Sequence, residues 1–183
     1  MNSIQVNKPK KNSFDLSHDV KMSASMGNLI PTLVLPCVPG DRHVLGCESL
    51  IRFAPLIAPV MHRMDVTMTY FFVPNRLIWK NWEKFATDAN SGHIKPYIPY
   101  SADYITDAAQ KKFMDYMGVP PNNTFNVQDI NALPFLAYQK IWNDYYRDQN
   151  LIAPIDTLAD DGNIITTSPM ARNGHNAPTC LGT

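Results

Sequence analysis

Cys37, His43 and Cys47 fall within eleven residues of one another, a grouping that raises metal binding. Structural zinc sites favour cysteine pairs separated by two to four residues, with a second pair further on. Here nine residues separate the thiols and Pro39-Gly40 lies between them, so the spacing does not suit zinc. The plainer account is two buried cysteines acting as small apolar residues. Cys180 near His175 raises nucleophilic chemistry, which needs a base within reach and a third group to orient it. Neither cysteine-histidine pair sits on a strand-turn-helix frame. A cysteine-dependent enzyme would lose its activity on Cys180→Ser, and no other residue supports that reading.

Phosphate chemistry fares no better. The sequence has no G-x-x-x-x-G-K-[ST] and no G-x-G-x-x-G. Asp160-Asp161-Gly162-Asn163 lacks the acidic spacing and terminal Glu of a calcium loop and reads as a turn. Asn122-Asn123-Thr124 matches a glycosylation sequon that carries no meaning without a secretory signal. The sequence thus predicts no catalytic residue, no metal site and no cofactor. Lys8, Lys10 and Lys11 precede the first acidic residue, Asp15. Residues 1–13 contain no apolar run and are expected to form a mobile basic arm. These three lysines are the candidate DNA contacts: weak for one copy, stronger where many copies are displayed together. The plainer account is a solvated tail.

Composition agrees with a building block. The 183 residues carry 17% charge, against roughly 25% in a typical globular protein, with 45% apolar residues and zero formal net charge. A surface so poor in charge suits coverage by partners, although abundant Asn, Ser and Thr would also account for it. The balance gives no global pull toward nucleic acid or membrane. No apolar run approaches the roughly 20 residues that span a bilayer. Three cysteines and no charged-then-apolar leader predict free thiols in a reducing compartment.

The elements that would position these residues divide into two. From Asn28 to Pro74 the sequence is β-like and cut by prolines at 31, 36, 39, 55, 59 and 74, which confine strands to short pieces, edges and bulges. Leu33-Val34-Leu35 reads as a short covered strand. Val38-Pro39-Gly40-Asp41 reads as a type II turn, with proline presetting φ and glycine accepting positive φ. Met61 to Val73 is the clearest strand. Met64, Val66, Met68, Tyr70 and Phe72 form an apolar face, and Arg63, Asp65, Thr67, Thr69 and Phe71 a mixed one. At roughly 3.3 Å per residue it would reach about 40 Å, a length suited to large sandwiches and shells.

After Pro74 the period changes to that of helices. Ile78, Trp79, Trp82, Phe85 and Ala86 share one helical face. A helix from near Thr106 carries Ala109, Phe113 and Met117 and ends at Gly118. Asn126 with Asp129 predicts a capped turn of helix. A third helix runs from about Pro134 to Asp148 with a stripe of Phe135, Tyr138, Ile141, Trp142, Tyr145 and Tyr146. That stripe is a packing face or a base-stacking surface. Leu158 and Ile164 to Thr167 are expected to form two short strands around the Asp160-Asp161-Gly162-Asn163 turn. The fold class is therefore mainly β with a helical insertion, α+β in appearance. Its divisions are the arm at 1–13, first strands at 14–76, a helix-rich insertion at 77–151, and loops with short strands at 152–183.

Several stretches also resemble a known family. They are Asn12-Ser13-Phe14-Asp15-Leu16-Ser17, Gly27-Asn28-Leu29-Ile30-Pro31 and Arg52-Phe53-Ala54-Pro55-Leu56-Ile57-Ala58-Pro59-Val60-Met61. Tyr70-Phe71-Phe72-Val73-Pro74-Asn75-Arg76-Leu77-Ile78-Trp79 and the run from Ala137 to Leu151 follow in the same order. Together they are similar to the major capsid protein of gokushovirus-type microviruses, small single-stranded DNA phages. The resemblance covers roughly 14–151. It implies a viral jelly roll of eight antiparallel strands with long insertions. It also implies a T=1 icosahedral shell of pentamers of the same chain. Further implied partners are an internal scaffolding protein, a small DNA-packaging protein and the single-stranded DNA genome, with no membrane. The virion would be its location, and the host bacterial cytoplasm its place of assembly. The alternative function is a nucleic-acid-binding module using the basic arm and aromatic helix. Members of that family are far longer, so an N-terminal fragment with a partial, incomplete barrel is expected. Its unpaired strands predict aggregation, and a sharp reversible two-state melt of soluble monomer would contradict this.

Overall fold

The computed structural model describes residues 11–54, 57–58, 61–88, 90–99, 108–120 and 129–164. Regular structure among them lies within residues 75–146. It begins with a single 3₁₀ turn, Asn75–Leu77, directly after Pro74. Helix α1, Trp82–Thr87, follows. Strand β1, Tyr97–Pro99, pairs antiparallel with β2, Asp129–Asn131, in the register Tyr97 with Asn131 and Ile98 with Ile130. Helix α2, Ala108–Tyr116, lies between the strands in sequence, and α3, Leu133–Ile141, leaves β2 almost at once. A π-helical turn, Trp142–Tyr146, extends α3.

The helix ends follow local rules. Gly118 has φ +83°, a left-handed value that glycine adopts without Cβ strain. Its N–H donates to the Asp115 carbonyl at 3.0 Å, and the Val119 N–H donates to the Met114 carbonyl at 2.9 Å. These two bonds form a Schellman cap; Met114 is buried in the core and Val119 packs against that core. Helix α3 starts with Pro134 in its first turn, where a missing N–H costs nothing. Asn131 Oδ1 accepts the Leu133 N–H at 3.2 Å. In the π turn the Arg147 N–H reaches the Trp142 carbonyl at 2.9 Å, one residue beyond the α-helical partner.

The core forms where these elements meet. Ile78, Ile98, Met114, Ala132, Phe135, Leu136, Ala159 and Ile164 are buried together. Each large side chain removed from water here contributes on the order of 1.5–3 kcal/mol. Phe113 packs edge-on to Phe135 with ring centroids 5.9 Å apart and tilts against Tyr138 at 4.8 Å. Trp79, Trp82 and Phe85 form a second aromatic group, with Trp79 and Phe85 centroids 4.9 Å apart.

Two local expectations are corrected. Asp129, placed by spacing in a capped helical turn, lies in β2; its proposed capping partner Asn126 lies outside the described residues. Among the described residues, Ala159 and Ile164 do not pair with each other across the turn; residues 165–167 of the expected second strand lie outside the described residues. Ala159 instead bridges parallel to Trp79, and Asn163 bridges parallel to Tyr97. The turn itself is present, with Gly162 at φ +79°. Local spacing favours a hairpin, but the edges offered by Trp79 and Tyr97 also bury Ala159 and Ile164, and that burial decides the pairing.

Residues 11–74 contrast with this unit. Their described residues are largely exposed and form no helix before Asn75 and no ladder of two or more paired residues. The Val38-Pro39-Gly40-Asp41 turn forms, with Gly40 at φ +93° and the Asp41 N–H donating to the Val38 carbonyl at 3.1 Å. Asp15 accepts Ser17 Oγ–H at 2.6 Å and its N–H at 3.0 Å, and these bonds hold the Asp15 carboxyl below its ordinary value.

Candidate assembly surface

Among the described residues, hydrogen bonds and ring contacts tie the first region to the packed unit. Tyr138 donates its hydroxyl to the Leu29 carbonyl at 2.7 Å. Tyr116 donates likewise to the Ser23 carbonyl. Phe71 tilts against Tyr145 at 5.0 Å and meets Tyr146 edge-on at 6.3 Å. Val73 packs on the core. Between these anchors the apolar face drawn from the alternation is open to solvent: Val66 is 59% exposed, Met68 46%, Tyr70 57% and Phe72 79%. Phe14, Val44, Leu50, Phe53 and Ile57 are exposed as well. Scattered single apolar residues are ordinary on a surface, whereas a contiguous apolar stretch of this extent marks an interaction surface.

The reactive residues singled out in the sequence are not assembled into a site. Cys37 and Cys47 are free and exposed, which corrects the expectation that both are buried. Cys47 Sγ lies 3.4 Å from Met68 Sδ, so the 47 and 68 regions run beside each other there. No group of three or more metal-ligating side chains occurs among the described residues. Cys180 and His175 lie outside the described residues, as do Asn122-Asn123-Thr124. Of the candidate DNA contacts, Lys11 is exposed, and Lys8 and Lys10 lie outside the described residues. The aromatic stripe of α3 is mainly a packing face: Phe135, Tyr138 and Trp142 are buried and Tyr145 is exposed. No helix among the described residues is long and apolar enough to cross a membrane.

Sequence reasoning missed Phe71. The alternation assigned it to the mixed face, yet it is Phe71 that finds aromatic partners while Phe72 faces solvent. It also missed Asp161, which was read only as part of a turn. Asp161 Oδ1 accepts the Trp79 indole N–H at 2.7 Å, and Oδ2 lies 2.5 Å from His93 Nδ1. Partial burial alone would raise the Asp161 pKa. The bonds from His93, Trp79 and Asn81, with the electrostatic effect of His93, outweigh it and hold the carboxyl below its ordinary value. Beside it, Lys80 pairs with Asp160 at 2.9 Å, and that hydrogen bond raises the Lys80 pKa despite slight desolvation.

The exposed apolar side chains between residues 66 and 72 mark a surface suited to association. Comparison with known proteins makes this specific. Residues 2–177 match the family described as Capsid protein (F protein). The chain is 37% identical over 154 residues to Capsid protein VP1 of Bdellovibrio phage phiMH2K, covering 83% of this chain and 28% of that protein. It is 36% identical over 150 residues to Capsid protein VP1 of Chlamydia phage 1, covering 78% of this chain and 25% of that one. A third relative, Capsid protein VP1 of Spiroplasma virus 4, is 28% identical over 156 residues, or 84% of this chain and 28% of its own. The chain therefore belongs to the phage capsid protein (F protein) family, the structural proteins of microvirus-type phages. It spans about a quarter of the length of the curated relatives it matches.

Proposed function

We propose that this chain supplies the opening strands and first helical insertion of a capsid subunit, copies of which close into a T=1 icosahedral shell around a single-stranded DNA genome. The observation that carries the reading is the exposed apolar face of Val66, Met68, Tyr70 and Phe72 in a chain of the capsid protein family. Each such side chain left in water forgoes on the order of 1.5–3 kcal/mol, a strong drive to acquire cover. A jelly roll provides that cover, because its second sheet packs on the apolar face of the first. The period-two pattern at 61–73 and the proline-limited pieces before it suit strands of such a barrel.

In this reading the protein resides in the virion and assembles in the host bacterial cytoplasm. Its partners are further copies of itself in pentamers, an internal scaffolding protein, a small DNA-packaging protein and the genome. Lys8, Lys10 and Lys11 face the DNA backbone. The test is negative-stain electron microscopy of the full reading frame expressed with its neighbouring genes. Closed particles or pentamers are the expected result, and soluble monomer alone under all assembly conditions would overturn the proposal.

A further inference from the structure

Residues 157–164 join the packed unit through isolated bridges. They follow the exposed stretch 148–154 and insert between two edges far away in sequence. Among the described residues their backbone bonds run to those edges and to Ile94, whose carbonyl accepts the Gly162 N–H at 3.2 Å. The Ala159 N–H donates to the Ile78 carbonyl at 2.9 Å and the Lys80 N–H to the Ala159 carbonyl at 3.1 Å. On the other side, the Tyr97 N–H donates to the Gly162 carbonyl at 2.9 Å and the Ile164 N–H to the Tyr97 carbonyl at 3.1 Å. The segment carries its own buried anchors, Thr157, Ala159 and Ile164. Among the described residues it forms two isolated bridges and no continuous ladder, the pattern of an element able to open locally while the rest stays folded.

One side chain ties the segment to both flanking elements. Asp161 accepts from Trp79 and Asn81 on the α1 side and meets His93 on the approach to β1. Asn81 sits at the N-cap of α1 without making a side-chain cap bond there; its side chain serves Asp161 instead. Charge-assisted bonds to a partly buried carboxylate outweigh exposed pairs, so the neighbouring Lys80–Asp160 pair, exposed on both sides, contributes little.

We propose that Asp161 is the latch of a separately docking arm: its ionised carboxylate holds residues 157–164 against the Trp79 and Tyr97 edges, and the arm leaves as a unit when that carboxylate is neutralised. Departure bares the Tyr97 backbone edge and the indole of Trp79, which is 1% exposed when the arm is docked. The charged groups facing Asp161 and its turn are His93, Lys80 with Asp160, and Asp156 acting on Lys80. Glu83 and Lys84 on α1 and Lys95 before β1 are exposed. The sign follows from the depressed carboxyl: the latch is fully closed above the ordinary Asp value of 3.8 and opens as pH falls through the lower value the carboxyl has when docked.

Amide hydrogen exchange followed by mass spectrometry on the full chain at neutral pH tests this. Asp161→Ala is expected to accelerate exchange about tenfold or more in peptides covering 78–80, 94–97 and 157–164 while leaving α3 unchanged. Asp161→Asn, which keeps the shape and removes the charge, is expected to accelerate the same peptides, and Asp160→Asn to leave them as in the wild type. Unchanged exchange in 157–164 for both Asp161 variants would overturn the latch. So would equal acceleration in α3, because the arm would then not be a separate unit. An Asp160→Asn variant that opens the arm as widely would also overturn the assignment to Asp161.

Discussion

Residues 11–74 and residues 75–164 have similar appetites for burial and opposite outcomes. Both are rich in large apolar side chains. In the second region Ile78, Phe135, Leu136 and Ile164 close into a core; in the first, Phe53, Val66 and Phe72 stay in water. The difference lies in where each backbone finds its hydrogen bonds. Helices α2 and α3 satisfy theirs internally and need only one apolar face covered. An extended stretch has no internal bonds, and prolines at 31, 36, 39 and 74 remove donors from it. Among the described residues it finds no ladder partner, and its apolar side chains stay exposed.

The largest test of this contrast sets one core phenylalanine against one exposed one. Phe135→Ala is expected to cost about 3–5 kcal/mol of unfolding stability, read by denaturant titration of tryptophan emission, because it empties a packed site. Phe72→Ser is expected to shift the same titration by no more than about 0.5 kcal/mol, yet to abolish particles in electron microscopy. If Phe72→Ser destabilises the unit as much as Phe135→Ala, the two regions are one cooperative structure and the comparison fails.

A middle-sized test concerns the end of α2. Gly118→Ala meets no atom within 4 Å, so its cost isolates the backbone. At φ +83° that cost is expected to be about 1–2 kcal/mol, and a neutral result in thermal melts would mean that the cap is not formed. The acid limb is a further one. A depressed Asp161 carboxyl contributes stability above pH 3.8 that is lost as pH falls through its folded value. Melting temperatures of Asp161→Asn and wild type should therefore differ at pH 7 and 5 and converge in strong acid. The smallest effect belongs to the Lys140–Asp144 pair at 3.0 Å, one helical turn apart and partly exposed. Lys140→Ala should shift the titration by about 0.3–0.5 kcal/mol at most, less in high salt.

The helical half was legible in the sequence because its signals are local. Gly118 ends α2, and Pro134 begins α3 within a residue of its expected place. The capsid family was legible for another reason: matching stretches recur in order over most of the chain. What escaped depends on residues distant in sequence. No spacing rule links Ala159 to Trp79 or Asn163 to Tyr97, and the Asp161 node exists only because those bridges form. Helical spacing also could not separate the π turn at Trp142–Tyr146 from continued α-helix, since aromatics three and four residues apart suit both. Phe71 escaped because alternation assigns faces, while the partner in contact decides which face is used.

The parallel bridge between Trp79 and Ala159 also sets a schedule. On a ribosome adding roughly 5–20 residues per second, several seconds pass between the emergence of Trp79 and that of Ile164. During that interval α2 and α3 can wind, but one wall of their core is missing. The strand-like first region has by then been outside for longer still. Any neighbouring chain therefore meets the open apolar stretch before the core behind it is sealed.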